Sequence, residues 1–288
     1  MNKSNRNISM VIKTVLTLIV SYALITPITA AYTTNVNLGD AKSFAILGGS
    51  AVTSTGTTVL AGTGGNNAGV YPGTSLTETP LISMEGGTKY LASEVQVSNA
   101  QIALTAAYLD AAGRTPTTTI PTELGGTTII SGVYGSTAGT FSITSTLVLD
   151  AENDPTAVFI FQMASTLTTA SNSKIELING ADACNIYWQV GSSATLGTNS
   201  HLEGHVLALT SITATTGATI NGSLLAREGA VTLDTNTITN NLCNEAPVDT
   251  TTPSPLPNTA SPFEFIILMG AALVIAGVGG LLLKKKDE

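Results

Sequence analysis

The residues with the most obvious capacity for chemistry are His201-Leu202-Glu203-Gly204-His205. On a strand, alternation would set His201, Glu203 and His205 on one side, a donor set that suits a zinc-type metal. Gly204 argues against that arrangement. It stands where neighbouring repeats carry Gly222 or Asn240, which marks a corner, and a corner swings His205 onto the next wall. These residues read as turn and surface positions, and no metal is expected. Hydrolysis of a polysaccharide would need carboxylates set close together. Glu176, Glu203, Glu228 and Asp234 instead fall in different columns of the repeat. Gly62-Thr63-Gly64-Gly65 lacks the following Lys-Ser/Thr of a phosphate loop. With two histidines in the chain no Ser/His/Asp set is visible. Neither catalysis nor a cofactor is expected.

What remains is a column of hydroxyls, and it depends on a repeat. Apolar blocks begin at Phe159, Ile186, Val206 and Leu224, which are 27, 20 and 18 residues apart. Each is followed by a short alternation: Thr166-Leu167-Thr168, Ser193-Ala194-Thr195, Ser211-Ile212-Thr213 and Ala230-Val231-Thr232. A second alternation then ends at Ile175, Leu202, Ile220 and Ile238. Short strands recurring at this period over Ala157 to Asn241 predict a three-sided β-solenoid. Leu167, Ala194, Ile212 and Val231 should point inward, and Thr168, Thr195, Thr213 and Thr232 outward. Phe44-Ala45-Ile46-Leu47 and Ser50 to Thr55 repeat the same pattern near the N-terminus. That adds Thr53 and Thr55, and Phe141-Ser142-Ile143-Thr144 adds Thr144. The expected outward set is Thr53, Thr55, Thr144, Thr166, Thr168, Ser193, Thr195, Ser211, Thr213, Thr215 and Thr232. It holds no charge and no large side chain. At about 4.8 Å per strand, such a grid of hydroxyl and methyl groups can order water into an ice-like lattice. The plainer alternative is Thr chosen for its β propensity. A contrast favours the grid, because the other open wall carries Lys174, Glu176, His201 and Glu203.

The first block of each repeat, as in Val158 to Phe161 and Ile186 to Val190, is apolar on both sides of the strand. Such a strand is buried on both faces, so something must cover it. Residues 89 to 112 supply a helix, with Leu91, Val95, Ile102, Ala106 and Leu109 at helical spacing and Gly113 at its stop. Its small residues Ala103, Ala106 and Ala107 are expected against that wall. Residues 61 to 87, rich in Gly, Asn and Pro, read as a long loop or cap.

The chain has 288 residues, 10% of them charged, and a formal charge of −8. Between residues 31 and 259 there are 5 Lys/Arg against 16 Asp/Glu. That balance argues against nucleic acid and anionic lipid. Both ends read as addresses. Residues 1 to 30 form a signal peptide: Lys3, Arg6 and Lys13 flank an apolar run from Val15 to Ile25, and Ile28-Thr29-Ala30 is a cleavage site. The solenoid domain covers 31 to 245, and 246 to 255 is a Pro/Thr linker. Residues 256 to 288 hold Leu256-Pro257-Asn258-Thr259-Ala260, an uncharged run from Phe265 to Leu283, and Lys284-Lys285-Lys286. This order resembles a sortase sorting signal, with Ala260 in place of the commoner Gly. The resemblance implies transfer of Thr259 to peptidoglycan, hence a Gram-positive-type cell surface. The alternative is a plain C-terminal membrane anchor. Cys184 and Cys243 both lie in the exported part, where a disulfide between them is possible; two buried thiols are the alternative.

Phe44 to Thr53, Ala106 to Arg114, Ala157 to Gln162 and Cys184 to Asn199 together resemble the microbial ice-binding protein family. The resemblance covers nearly all of residues 38 to 241. It implies a discontinuous three-sided β-solenoid, mostly β, with one long α-helix along a side and the N-terminal rung inserted among later ones. It also implies one flat face that binds ice, in some members through a Thr-Ala/Gly-x-Thr/Asn pattern. Thr213-Ala214-Thr215-Thr216 and Thr169-Ala170-Ser171-Asn172 match that pattern, and Leu196-Gly197-Thr198-Asn199 departs at its first position. The expectation is a monomeric, non-catalytic cell-surface domain that adsorbs to ice, with sortase and peptidoglycan as its other partners. A glycan- or protein-binding adhesin on the same scaffold is the alternative.

Overall fold

The chain winds into a coil whose strands stack in parallel on three walls. The computed structural model describes residues 34–79 and 82–241. The stretches expected to be a signal peptide, a linker and a sorting motif with its apolar run, and Cys243, lie outside the described residues.

The first wall is built from Gly132–Ser136, Phe159–Met163, Ile186–Val190, the second halves of His201–Ala208 and Thr219–Ala226, Phe44–Gly48 and Asn67–Val70. The second wall is a separate 7-stranded sheet. The third carries Thr146–Asp150, Lys174–Ile178, the first halves of the two long strands, Thr237–Thr239 and Val59–Ala61. The N-terminal rung is out of sequence order. Ile46 lies beside Leu224, Thr53 beside Thr232, and Leu60 beside Ile238. The chain's beginning thus covers the end of the ladder, whose edge would otherwise expose unpaired backbone.

The region expected as a loop is in fact a further rung. Asn67–Val70, Ser75–Thr79 and Ser83–Met84 add one strand to each wall. Its glycines and Asn residues fill the corners between short strands.

Alternation fills the interior as expected. Leu167, Ala194, Ile212 and Val231 are buried in one core with Val52. Under the first wall the aromatic rings stack, Phe161 on Trp188 with centroids 4.2 Å apart and Tyr134 on Phe161 at 5.6 Å. Trp188 Nε1 donates to the Glu203 carbonyl at 2.9 Å, so the buried indole is satisfied at the corner beside Gly204. Gly204 adopts φ +102°, and a Cβ there would lie 2.6 Å from the Ile186 carbonyl oxygen. The bend it allows carries one strand from the third wall onto the first, as the sequence suggested.

The outer side of the first wall is covered by helix α1, Val95–Gly113. At 1.5 Å per residue it runs roughly 28 Å, enough to return the chain along about six rungs. Val97, Ala100, Leu104, Ala107, Tyr108 and Ala111 pack on Ile160, Tyr187, Leu207 and Leu225. Two glutamines clamp it. Gln162 Nε2 donates to the carbonyls of Ala111 and Arg114 at 2.6 and 2.7 Å, and Gln101 Nε2 donates to those of Ala226 and Arg227. The cover is the one expected, and the expected face holds only in part. Leu91, Val95, Ile102, Ala106 and Leu109, the residues whose spacing predicted the helix, are exposed. The wall is flat and close, so it accepts the small residues and Leu104. Ala107 lies against it as expected, Ala103 is half-buried and Ala106 faces out.

Candidate functional site

The 7-stranded sheet stacks Phe141–Ile143, Leu167–Thr169, Ala194–Leu196, Ile212–Ala214, Val231–Asp234, Ala51–Thr55 and Ser75–Thr79 in that order. Register aligns Ser142, Thr168, Thr195, Thr213, Thr232, Thr53 and Thr77 in one outward column. Each lies between two inward residues, which is why alternation alone places it on the surface. The column is roughly 29 Å long at about 4.8 Å per step, all hydroxyl. Thr168, Thr195, Thr232 and Thr77 are exposed, while Ser142, Thr213 and Thr53 are half-buried.

A parallel column two residues earlier contains Thr166, Ser193, Ser211, Ala230, Ala51 and Ser75. Its hydroxyls are held. Ser193 Oγ shares a 2.7 Å hydrogen bond with Thr210 Oγ1 and accepts from Ser211 N at 3.3 Å. Ser211 Oγ accepts from Ala230 N at 3.2 Å. Fixed hydroxyls give the surface a defined pattern of donors and acceptors.

Two features of the expected set are corrected by the register. Thr144 does not share the row of Thr168; Ser142 does, because Phe141 lies beside Leu167. Thr144 sits two positions on, at the end of the stack, where its N–H donates to Glu123 Oε1 at 3.0 Å. Glu123 is partly desolvated, but hydrogen bonds from Thr144 and Gly125 hold its pKa below the usual carboxylate value. That rung therefore ends on an anion. The second correction adds Thr77, with Ser75, from the stretch expected as a loop. The alternation Ser75-Leu76-Thr77 is the signal that marks it.

Thr55 and Thr215 belong to a third column, with Asp234 beside Thr55. Asp234 accepts from Thr216 Oγ1 and, at 3.0 Å, from Thr235 Oγ1. This column borders the corner and is not free of charge. Nor are the two pattern matches equivalent. Thr168 pairs with Thr195 and Thr195 with Thr213, so Thr213-Ala214-Thr215-Thr216 is one residue out of register with Thr169-Ala170-Ser171-Asn172. Thr169 is buried, its Oγ1 accepting from Gly197 N at 2.9 Å. Asn172 and Asn199 form the corner itself, at φ +59° and +55°, a left-handed conformation that Asn tolerates.

The third wall carries the charges, as expected. Lys174, His201, Thr219 and Thr237 form one row, and Lys174 pairs with Glu176. His201 Nε2 meets Glu203 Oε1 at 2.8 Å and its Nδ1 meets Thr219 Oγ1 at 2.8 Å. Asn221 Nδ2 donates to Glu203 Oε2 at 2.8 Å. The hydrogen bond to Glu203 raises the His201 pKa, against partial burial. Among the described residues no cluster of His, Cys, Asp and Glu is arranged to hold a metal.

The structure also reveals a pairing that the sequence did not show. Beyond Gly204, His205 Nδ1 meets Ser223 Oγ at 2.8 Å and its ring stacks on Tyr187, centroids 5.6 Å apart. Asp182 acts on the same imidazole electrostatically. His, Ser and Asp thus do come near one another, but His205 and Ser223 are buried and no substrate reaches the hydroxyl. Burial pushes the His205 pKa down to about 4, so the ring is a neutral packing element. Cys184, nearby in sequence, is disulfide-bonded; the partner expected for it, Cys243, lies outside the described residues.

Residues 46–239 match the family model described as ice-binding-like. An ice-binding protein of a Nostoc strain is 45% identical over 205 residues, covering 70% of this chain and 73% of the relative. Ice-binding protein 1 of Shewanella frigidimarina is 44% identical over 120 residues, 41% of this chain and 14% of that much longer protein. Among solved structures, an ice-binding protein from an Antarctic biological consortium superposes with a TM-score of 0.69 at 41% identity. It covers 75% of this chain and 95% of its own. The match thus takes in nearly all of that solved chain.

Proposed function

The chain belongs to the ice-binding-like family, and on that premise we propose that it adsorbs to ice through the Thr/Ser wall. One observation carries the choice of wall. The column from Ser142 to Thr77 crosses seven strands without a charged side chain and meets one only at its end, where the exposed Glu123 lies beside Ser142, while the third wall is crossed by Lys174, Glu176 and His201 with the buried Glu203 beneath them. A charged group holds its own hydration shell and disturbs an ordered water lattice, whereas Thr offers a methyl and a hydroxyl at each step. The first wall is excluded because α1 covers it. Thr53, Thr168, Thr195, Thr213, Thr232, Ser142 and Thr77 are the contact row, flanked by Thr166, Ser193 and Ser211. Ice-affinity partitioning of residues 31–245 tests the reading: the domain should enter the solid fraction, and a domain left in the liquid is not an ice binder.

We also infer that the protein is displayed at the cell wall. The support lies in Leu256 to Ala260, the uncharged run to Leu283 and Lys284 to Lys286, in the order that sortase processing requires. Thr259→Ala should leave the chain in the membrane fraction; covalent attachment to peptidoglycan in that variant would exclude sortase.

A further inference from the structure

Helix α1 is apolar on the face it buries and apolar again on the face it shows. Val95, Ile102 and Leu109 are 63%, 69% and 58% exposed, and Leu91 precedes them at 44%. A helix that is hydrophobic all round is ordinarily covered all round. With one wall of the coil beneath it, α1 is covered on one side only, among the described residues.

The outer residues follow a rule. Val95, Asn99, Ile102, Ala106, Leu109 and Gly113 recur at alternating steps of four and three, which is the seam spacing of a two-stranded coiled coil. Val95, Ile102 and Leu109 occupy one seam position, and Asn99, Ala106 and Gly113 the other. The second set is small or amide, so a facing helix can approach closely. The flanking positions carry Gln96, Ser98, Ala103, Thr105, Asp110 and Ala112, with no like charges to repel a copy of the same helix.

We propose that this face binds a second copy of the chain, helix against helix, parallel and in register. Asn99 decides the occupant and the direction. Asn99 is exposed in the single chain, but once a facing helix closes the seam its amide needs a hydrogen-bond partner. In a parallel pair the partner's Asn99 supplies it, a device that fixes register and selects two strands. An antiparallel pair would set Leu109 against Asn99 and leave the amide without one. The dimer runs against the monomer expected from the sequence. It is a weak dimer. One helix pair of this length falls short of the roughly 1,200 Å² that marks a stable interface, so a dissociation constant between about 10 μM and 1 mM is expected. The Thr/Ser wall is a different wall of the coil and does not take part, so the inference stands apart from the ice reading.

Sedimentation equilibrium of residues 31–245, without ice, tests it. The wild type should pass from monomer to dimer as concentration rises to about 2 mM. Ile102→Asp alters an exposed side chain, so it should keep its melting temperature and weaken the dimer at least 100-fold. Asn99→Cys should cross-link to itself on oxidation, because the parallel register sets the two positions together. A wild type that stays monomeric at 2 mM overturns the proposal, as does an Ile102→Asp variant that dimerises like wild type. A dimer in which Asn99→Cys fails to cross-link overturns the parallel register. A monomer that instead floats with phosphatidylcholine vesicles would assign the face to lipid and also overturn it.

Discussion

Between pH 7 and pH 4.5, acidification should destabilise this domain through His205. In the unfolded chain a histidine titrates near 6.5; in the fold, burial pushes His205 down to about 4. The native state therefore binds the neutral ring, and the stability this supplies is fully present above about pH 6.5. It is lost as the pH falls toward 4, because the unfolded chain takes up a proton that the folded one refuses. A gap of about 2.5 units is worth about 3 kcal/mol, of which about 2 to 3 kcal/mol should be lost between pH 7 and pH 4.5. His201, Glu123 and Asp154 do not imitate this window. His201 has a raised pKa, so its contribution is complete below about pH 6.5 and is lost only as the pH rises. Glu123 and Asp154 have depressed values, and what they contribute is lost below the ordinary carboxylate range, about pH 4. Urea unfolding at pH 7, 5.5 and 4.5 measures the loss. His205→Asn will lower stability at pH 7, because the stack on Tyr187 goes, but its stability should not fall across the window, where His201 gains its proton. The same pH loss in wild type and variant would refute the assignment to His205, and a flat wild-type profile would refute the shifted pKa itself.

Three further outcomes are expected. Gly204→Ala puts a Cβ 2.6 Å from the Ile186 carbonyl at φ +102°; it should destabilise by more than about 3 kcal/mol, read as a large fall in melting temperature or loss of soluble protein. Gln162→Ala removes both hydrogen bonds to the C-terminal end of α1; it should cost about 1–3 kcal/mol and speed amide exchange in Ala107 to Gly113 more than in the core strands. Lys174→Ala and Glu176→Ala on the third wall remove one exposed ion pair; stability should change by less than about 1 kcal/mol, and ice adsorption should be unchanged.

The repeat is legible in the sequence because each rung obeys alternation. Leu167 to Val231 and Thr168 to Thr232 fall to inside and outside from their spacing alone, since a strand admits only two faces. The double-sided apolar block likewise announces a covered wall. Other features are not legible. The buried face of α1 is hidden, because its apolar residues lie on both sides and spacing alone does not say which side meets the coil; a flat wall selects Ala100, Ala107 and Ala111 over Ile102 and Leu109. The rung bearing Thr77 hides in a Gly- and Asn-rich stretch, where corner residues outnumber strand residues. Counting along Phe-Ser-Ile-Thr puts Thr144 in the outward row, but the neighbouring Leu167 decides the register and puts Ser142 there instead. The partnership of His205 with Ser223 is hidden too, since it joins positions 18 residues apart in sequence that are neighbours in consecutive rungs.

The central claim is that the uncharged hydroxyl column of the Thr/Ser wall is the surface that meets ice. Thr195→Arg and Thr213→Arg test it most directly, because both side chains stand on that wall in the middle of the column, where a long cation breaks the flatness over several rungs and reorders the water above them. Ice adsorption and melting temperature would be measured on the same samples. The account predicts folded variants whose stability changes little and whose adsorption to ice is abolished. Folded variants that adsorb as the wild type does would contradict it, and would move the site to the wall carrying Thr219 and Thr237.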